Sequence, residues 1–312
     1  ELRLLASKRS AGKEIAFMGK TYTVEEATFD SFKGMDIALF AGGSISKDFA
    51  PHAVKAGAVV IDNSSAFRMD PEVPLVVPEV NPQAILKHKG IIANPNCSTI
   101  IMVMALKPIY DLAKIKRVIV STYQAVSGAG KEGIDELDAQ VREHSEGREM
   151  TANILPSASA EKHYPIAFNL IPQIDVFCDN LYTKEEMKMV NETKKIMEDY
   201  EMRITATTIR VPVYRSHSES VNIELEKEVD LGAMREALAK FPGVTVQDDP
   251  SKQEYPMPLY TSEKDDVYVG RLRRDESCEK SYNMWVVGDQ IRKGAALNTL
   301  QIAETMIKNG WI

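Results

Sequence analysis

The chain has 312 residues, 44% of them hydrophobic and 27% charged, with a formal net charge of −7 at pH 7. That length favours two domains over one, and the acidic balance excludes a general nucleic-acid binder, which needs a basic footprint; a small anionic ligand needs only a local basic pocket. No run of eighteen apolar residues occurs, so no helix is expected to span a membrane; Glu1-Leu2-Arg3-Leu4-Leu5 lacks the order of a signal peptide, and three widely spaced cysteines read as reduced thiols in a cytoplasmic setting.

Leu2 to Ala6 reads as a short strand running into Ser7-Lys8-Arg9-Ser10-Ala11-Gly12-Lys13. In a dinucleotide-binding unit the end of the second strand meets the adenosine ribose, where an acid reads a 2′-hydroxyl and a basic residue accommodates a 2′-phosphate. This loop has no acid and points to NADP, although a solvated basic turn is the more frequent source of such a run. Met35 to Ala41 is a buried strand ending in Gly42-Gly43, where the backbone can approach a ligand closely. A helix over Ile45 to Ala56 ends at Gly57, and Ala58 to Asp62 is the next strand, leading into Asn63-Ser64-Ser65-Ala66-Phe67-Arg68. Strand, helix and strand give the doubly wound pattern, whose ligands sit at the carboxyl ends of the strands; Gly42, Gly43, Ser64, Ser65 and Arg68 all fall there. Such a domain opens with a strand, a Gly-rich turn and a helix. No such turn precedes Leu2, so the chain is expected to enter the sheet at its second strand.

Pro71, Pro74, Pro78 and Pro82 mark an irregular crossing with a short strand at Leu75-Val76-Val77, and Gly90 to Ala93 returns to the sheet. Asn94-Pro95-Asn96-Cys97-Ser98-Thr99 follows, then the apolar helix Ile100 to Leu112. A thiol at a helix N-terminus sees the positive end of the macrodipole and unpaired N–H groups. Both favour the thiolate, and the same groups can hold an oxyanion. The competing reading of Cys97 is a small buried apolar residue.

Arg117 to Ala125 reads as a strand, the turn Val126 to Lys131 is Gly-rich, and a helix follows over Glu132 to Ser145. Thr151 to Pro172 is turn-rich. Thr183 and Glu186 form a capping box for a helix running to about Tyr200, on which Glu185 and Lys188 read as a surface ion pair. Beyond it, Arg203 to Tyr214, Ser218 to Glu226, Val267 to Arg274 and Tyr282 to Asp289 are strands around one helix, Leu231 to Phe241; Arg292 to Asn298 leads into a terminal helix. This half is an α+β domain with a mostly antiparallel sheet. Arg210 and Tyr214 share one face of their strand, and His217 lies in the turn beyond. Arginine is the fork for carboxylate or phosphate, histidine moves protons near neutral pH, and a Cys–His pair is a standard way to activate a thiol. Cys178 reads as core and Cys278 as part of a charged turn. His52, His88, His144 and His163 are scattered, and no metal-ligand spacing emerges.

Asn94 to Thr99, with Asn63 to Arg68 before it and Gln124 to Gly130 and Ile209 to His217 after it, closely resembles aspartate-semialdehyde dehydrogenase, in order over almost the entire chain. The resemblance implies a Rossmann-like α/β nucleotide domain (1–96 and 294–312) and an α+β catalytic and dimerisation domain (97–293) with a mixed sheet. It implies reduction of L-aspartyl 4-phosphate by NADPH to aspartate 4-semialdehyde and phosphate, feeding lysine (via diaminopimelate), methionine, threonine and isoleucine synthesis, in a homodimer. By position it makes Cys97 the acyl-thioester nucleophile, His217 the acid/base and Gln124 the residue orienting the acyl group. Arg210 falls on the α-carboxylate, Glu185 on the substrate amino group, and Arg68, Lys188 and Asn96 on the phosphate. Arg9 and Ser10 fall at the 2′-phosphate, Gly42 and Ser64 along the cofactor, and Ser127, Gly128 and Asn298 near the nicotinamide. A related acyl-phosphate reductase, such as N-acetyl-glutamyl-phosphate reductase or a phosphorylating triose-phosphate dehydrogenase, is the alternative. Glu185 suits a free ammonium, which neither rival substrate carries. A truncated, non-catalytic fragment is the other alternative.

Overall fold

The computed structural model describes residues 1–312. Strands β1 (Leu4–Ala6), β2 (Glu14–Phe17) and β3 (Lys20–Glu26) are followed by β4 (Ile37–Phe40), helix α1 (Ser46–Lys55), β5 (Val59–Asp62) and β6 (Ile91–Ala93). Helix α2 (Cys97–Leu112), β7 (Ile115–Gln124), α3 (Lys131–Ser145), α4 (Lys184–Met197), β8 (Arg203–Arg210) and β9 (His217–Leu225) come next. Helix α5 (Leu231–Lys240), β10 (Val244–Val246), the one-turn α6 (Pro258–Thr261), β11 (Val267–Arg274), β12 (Ser281–Gly288) and α7 (Leu297–Lys308) complete the chain.

The first part is α/β. Strands β4, β5 and β6 lie parallel in that order, with α1 between β4 and β5. A separate three-stranded sheet, β1–β3–β2, holds the sequence before it. The hairpin β2–β3 has no counterpart in the sequence reading. Its turn, Met18-Gly19, has positive φ at both residues, the geometry of the tight turns that favour right-twisted hairpins, but Met supplies none of the Asn or Asp signal that announces one. Leu75 to Val77 is not a strand; only Leu75 bridges to Ala93. Pro74 and Pro78 have no N–H to donate to a ladder and flank it too closely.

The second part is one six-stranded sheet in the order β10–β11–β12–β9–β7–β8. Its three inner pairings are antiparallel and the two outermost parallel. Strand β8 ends at Arg210, four residues short of expectation, because Pro212 cannot donate to a ladder. Tyr214 therefore does not share a strand face with Arg210; it is half-exposed and its hydroxyl reaches Asp138.

Helix α2 is apolar on all sides over Ile100 to Leu106, the signature of a buried helix, and reaches solvent near its end, at Lys107 and Asp111. Its residues Ile100 to Leu106 and Ile109 are completely buried in a cluster of 33 buried side chains that also draws on the crossing (Val73, Leu75, Val77, Val80) and the large sheet. Each such side chain contributes roughly 1.5–3 kcal/mol on burial, so the helix that begins at Cys97 is fixed by the main core. Helix α7 returns to the first part: Ile302, Ala303 and Met306 pack on Ile61, Val76, Ile85 and Ile92.

Candidate active site

Two strand registers bring polar side chains to one end of the large sheet. Gln124, the last residue of β7, pairs with Arg210, the last residue of β8. His217, the first residue of β9, pairs with Gly288 at the end of β12. Gly288 is required there, since a Cβ would stand 2.9 Å from Ile101 Cγ1. The N-terminus of α2 points its first turn at this end, and α4 lies across it.

Cys97 is the first residue of α2, and Asn96 is its N-cap: Asn96 Oδ1 accepts the Ser98 N–H at 3.0 Å and the Thr99 N–H at 3.2 Å. Two carboxylates of α4 hold Asn96 from the other side. Glu192 Oε2 accepts its backbone N–H at 2.6 Å, and Glu185 Oε1 accepts its side-chain amide at 2.9 Å. Glu185 Oε1 also accepts from Gln124 Nε2 at 3.1 Å, and Glu185 Oε2 accepts from Lys188 Nζ at 3.0 Å. Gln124 Nε2 reaches Ser98 Oγ at 2.8 Å. The capping box of Thr183 and Glu186 sets the start of α4 as expected, but Glu185 and Lys188 are no surface pair. The first is buried and the second is half-buried between Glu185 and Asp175.

The electrostatics of this cluster reverse one expectation. Cys97 keeps some exposed surface, yet its thiol is pushed up to about 12, first by burial and then by the Glu185 carboxylate; Arg68, the Ser98 N–H and Arg210 pull the other way. In the unliganded site the thiol is neutral, and the macrodipole does not outweigh desolvation and a neighbouring anion. Burial opposes ionisation of Glu185 as well, but Lys188 and the amides of Asn96 and Gln124 hold it at about 2. His217, expected in an exposed turn, is completely buried. Its Nδ1 accepts the Ala125 N–H at 3.1 Å, so its proton sits on Nε2. Burial, then Arg210, push it down to about 3.

Arg210 donates from Nη1 to Ala125 O at 2.8 Å, and its Nε has no partner; neither has His217 Nε2. Both are buried polar atoms aimed into the site, where a ligand can satisfy them. Gly128 borders both: a Cβ there would stand 2.7 Å from Arg210 Nη1 and 3.3 Å from His217 Cε1.

Arg68 lies on the first part and meets α4. It donates to Asn94 O at 2.9 Å, Asn63 O at 3.1 Å and Glu192 Oε1 at 3.2 Å. Glu192 is absent from the sequence reading; the signal for it is the spacing of Glu185, Lys188 and Glu192, which puts all three on one helix face. Lys293 was missed too. It is buried and donates to Glu79 Oε2 at 2.6 Å, Gln301 Oε1 at 2.7 Å and Asn298 Oδ1 at 2.9 Å. Asn298 passes the chain on to Val76 O and to Asn94 Oδ1, and so to the loop before Cys97. The next residue, Gly294, packs on Cys97, where a Cβ would come within 3.0 Å of the cysteine Cβ.

The remaining expected residues lie apart from this cluster. Arg9 is exposed and Ser10 half-buried in the turn after β1. Gly42 follows β4, and Ser64 follows β5 with its hydroxyl committed to Asp62 Oδ2 at 2.6 Å. Ser127 accepts from Gln290 Nε2 at the mouth of the cluster. Cys178 is half-buried rather than core, and Cys278 is exposed. No group of three metal-ligating side chains exists, and no helix is long and apolar enough to cross a membrane.

Two family models match in tandem: the NAD binding domain of semialdehyde dehydrogenase over residues 1–88 and its dimerisation domain over residues 106–293. A protein named aspartate-semialdehyde dehydrogenase from Aquifex aeolicus is 57% identical, the match covering 100% of this chain and 91% of the relative. One of the same name from Bacillus subtilis is 54% identical over 98% and 89%. The crystal structure of aspartate semialdehyde dehydrogenase II from Vibrio cholerae superposes with a TM-score of 0.93 at 47% identity, over 99% of this chain and 90% of that one. The same enzyme has been solved in complex with ASA. The first part is thus a nicotinamide-cofactor domain and the second a dimerisation domain whose partner is a second copy. The related acyl-phosphate reductases are not favoured, and the chain belongs to the aspartate-semialdehyde dehydrogenase family.

Proposed function

We propose that this chain makes L-aspartate 4-semialdehyde from L-aspartyl 4-phosphate through a thioester on Cys97, with NADPH as reductant, in a cytoplasmic setting. The observation that carries the reading is the buried cluster itself: one thiol on the first turn of a core helix that feels Glu185 and Arg210, with Gln124 bonded to Glu185 and His217 beside Arg210 at Gly128. We divide the chain accordingly into a cofactor domain, 1–96 and 294–312, and a catalytic and dimerisation domain, 97–293.

Arg210, with an unpartnered Nε, binds the α-carboxylate, and Glu185 binds the α-ammonium. That second contact explains why the thiol is held neutral beforehand. The Glu185 carboxylate is one of the two causes of its high pKa, and pairing it with an ammonium removes that cause when substrate arrives. Sγ attacks the acyl carbon, the C–O bond to phosphate breaks, and the thiol proton leaves on the phosphate, which Arg68, Lys188 and Asn96 bind. Gln124 orients the acyl group. His217 presents an Nε2–H to the acyl oxygen, because the Ala125 N–H occupies Nδ1; it is a hydrogen-bond donor to the oxyanion. The oxyanion of the thiohemiacetal takes up one proton from solvent, and its collapse returns that proton to Sγ and frees the aldehyde.

The nicotinamide, when bound, supplies the hydride that reduces the thioester. The residues present fit NADP: Lys8 and Arg9 make no ion pair in a turn without a carboxylate, the donor set for a 2′-phosphate. Arg9 and Ser10 hold that phosphate, Gly42 and Ser64 border the cofactor, and Ser127 and Gly128 flank the ring. Asn298 acts through its neighbours, since both of its amide hydrogens are already donated to Val76 O and Asn94 Oδ1.

The test is the reverse reaction. Aspartate semialdehyde should be oxidised only with phosphate present, faster with NADP than with NAD, and not by Cys97→Ala. Equal rates with NAD remove the NADP assignment. Equal or faster turnover of N-acetylglutamate semialdehyde removes the substrate.

A further inference from the structure

Glu192 has no role in the reaction as written, yet it is 1% exposed and stands between two groups assigned to the phosphate. One oxygen, Oε1, pairs with Arg68 Nη1 at 3.2 Å; the other, Oε2, accepts the Asn96 N–H at 2.6 Å. Arg68 is itself buried, and its Nε and Nη2 are tied to Asn94 O and Asn63 O. The guanidinium therefore has little freedom to turn toward an incoming anion while keeping Glu192. A phosphate dianion on Arg68 would meet a buried carboxylate on the same guanidinium, and two anions so placed repel strongly at low dielectric.

We propose that Glu192 is the internal counter-ion that the phosphate displaces from Arg68, and that it takes up one proton from solvent as the anion arrives. The proton goes to Oε1, the oxygen that Arg68 releases. Oε2 keeps the Asn96 N–H, so the cap of the Cys97 helix is undisturbed. The new Oε1–H is then a donor to the phosphate, and the proton returns to solvent when the phosphate leaves.

The charges around Glu192 leave it as the group that responds. Arg68 faces it from the loop after β5 and Glu185 from its own helix; Lys195, one turn on, donates to the carbonyls of Arg68, Asp70 and Val73. Cys97, beside Asn96 on α2, is already neutral. Glu185 is pinned as a carboxylate by Lys188. Glu192 alone among these carboxyls is held above the usual range, by burial that Arg68 and the Asn96 N–H only partly offset. It is a positioning residue acting through Arg68, and the inference rests on Arg68 being the phosphate site.

Sulfate is a suitable probe, because it is a tetrahedral dianion that does not titrate near neutral pH. Calorimetry of sulfate binding to the intact enzyme, in two buffers of different ionisation enthalpy, should show uptake of about one proton. Affinity should fall about tenfold per pH unit above the Glu192 ionisation, the slope of one linked proton. Glu192→Gln, whose carbonyl keeps an acceptor for the Asn96 N–H and whose amide sets an N–H where the protonated Oε1 would stand, should bind sulfate with no proton uptake and no such slope. Wild-type binding without proton uptake overturns the proposal even if the variant fails to fold, as does uptake that survives in Glu192→Gln. Sulfate binding that is absent, or that Arg68→Met leaves unchanged, instead overturns the placement of the phosphate on Arg68.

Discussion

Nδ1 of His217 accepts the backbone N–H of Ala125 at 3.1 Å, and that single bond leaves Nε2, which has no partner, as the nitrogen open to a ligand. A backbone N–H can only donate, so the neutral ring carries its proton on Nε2. Protonating Nδ1 would set two N–H groups against each other in a buried site beside Arg210. The native pKa of about 3 lies below the ordinary 6.5, so between those values the unfolded chain binds a proton that the folded chain does not. Stability is then full above about pH 6.5 and is lost as the pH falls toward 3, at about 1.4 kcal/mol per unit from this residue alone. His217→Asn keeps an acceptor for Ala125 and should flatten the pH dependence of the urea midpoint by about one proton in that window. An unchanged slope would show that His217 is already charged in the native state.

The neutral state of Cys97 can be read by alkylation. Iodoacetamide attacks thiolates, so with the thiol at about 12 the unliganded enzyme should lose Cys278, which is exposed, well before Cys97. The rate at Cys97 should climb through pH 10 without a plateau. Glu185→Gln removes the second cause of the shift and should have opposite effects on two measurements: faster alkylation of Cys97, and turnover reduced by roughly 10²-fold or more as the ammonium contact is lost. Should Glu185→Gln leave the alkylation profile of Cys97 unmoved, the carboxylate is not what holds the thiol neutral.

Gly128 offers a test of geometry without touching a charged group. The Cβ of Gly128→Ala would stand 2.7 Å from Arg210 Nη1. That nitrogen is the far end of a long side chain but is anchored on Ala125 O. The guanidinium must shift, and His217 beside it. Misplacement of this order costs about 10²-fold in rate, and kcat/KM for aspartate semialdehyde should fall by roughly that factor while Tm changes little. Arg210→Lys should instead act mainly on KM, since an ammonium cannot make the bidentate contact. Full activity in Gly128→Ala would place the reacting groups elsewhere.

The parts of the site legible from the sequence are those carried by local pattern. Cys97 is legible because a strand, an Asn-rich turn and an apolar helix follow one another without a break from Gly90 to Leu112, and Thr183 and Glu186 because a capping box is a local motif. Glu192 and Lys293 were invisible for a common reason: each is a charged residue on a helix, where the ordinary explanation is solvent, and only the fold shows that helix face covered. The same applies to the Cys97 pKa. The macrodipole can be read from a helix start, whereas burial and a carboxylate 88 positions along the chain (Glu185) are properties of the folded cluster alone. His217 was misplaced because Pro212 and the residues after it read as the end of a strand, while the register of β9 against β12 begins at His217 itself.

Lys293 and Glu79 permit a last prediction, about how the two parts of the chain are joined. Lys293 gives all three of its hydrogens to side chains, and burial lowers its pKa against the opposing pull of Glu79. Its acceptors come from the crossing before β6 and from α7, so Lys293 ties the terminal helix to that crossing, and Asn298 carries the connection on to Asn94 in the loop before Cys97. Lys293→Met removes one partner of a buried pair, which typically destabilises by about 3–5 kcal/mol because the other charge is left uncompensated. Glu79→Gln added to it neutralises the remaining charge and should restore most of that stability. Turnover should not return with it, because the chain Lys293–Asn298–Asn94 would still be cut and Gly294 no longer held against Cys97. Denaturation midpoints and kcat of the single and double variants separate the two effects. Recovery of kcat in step with stability would mean that the ion pair serves folding alone.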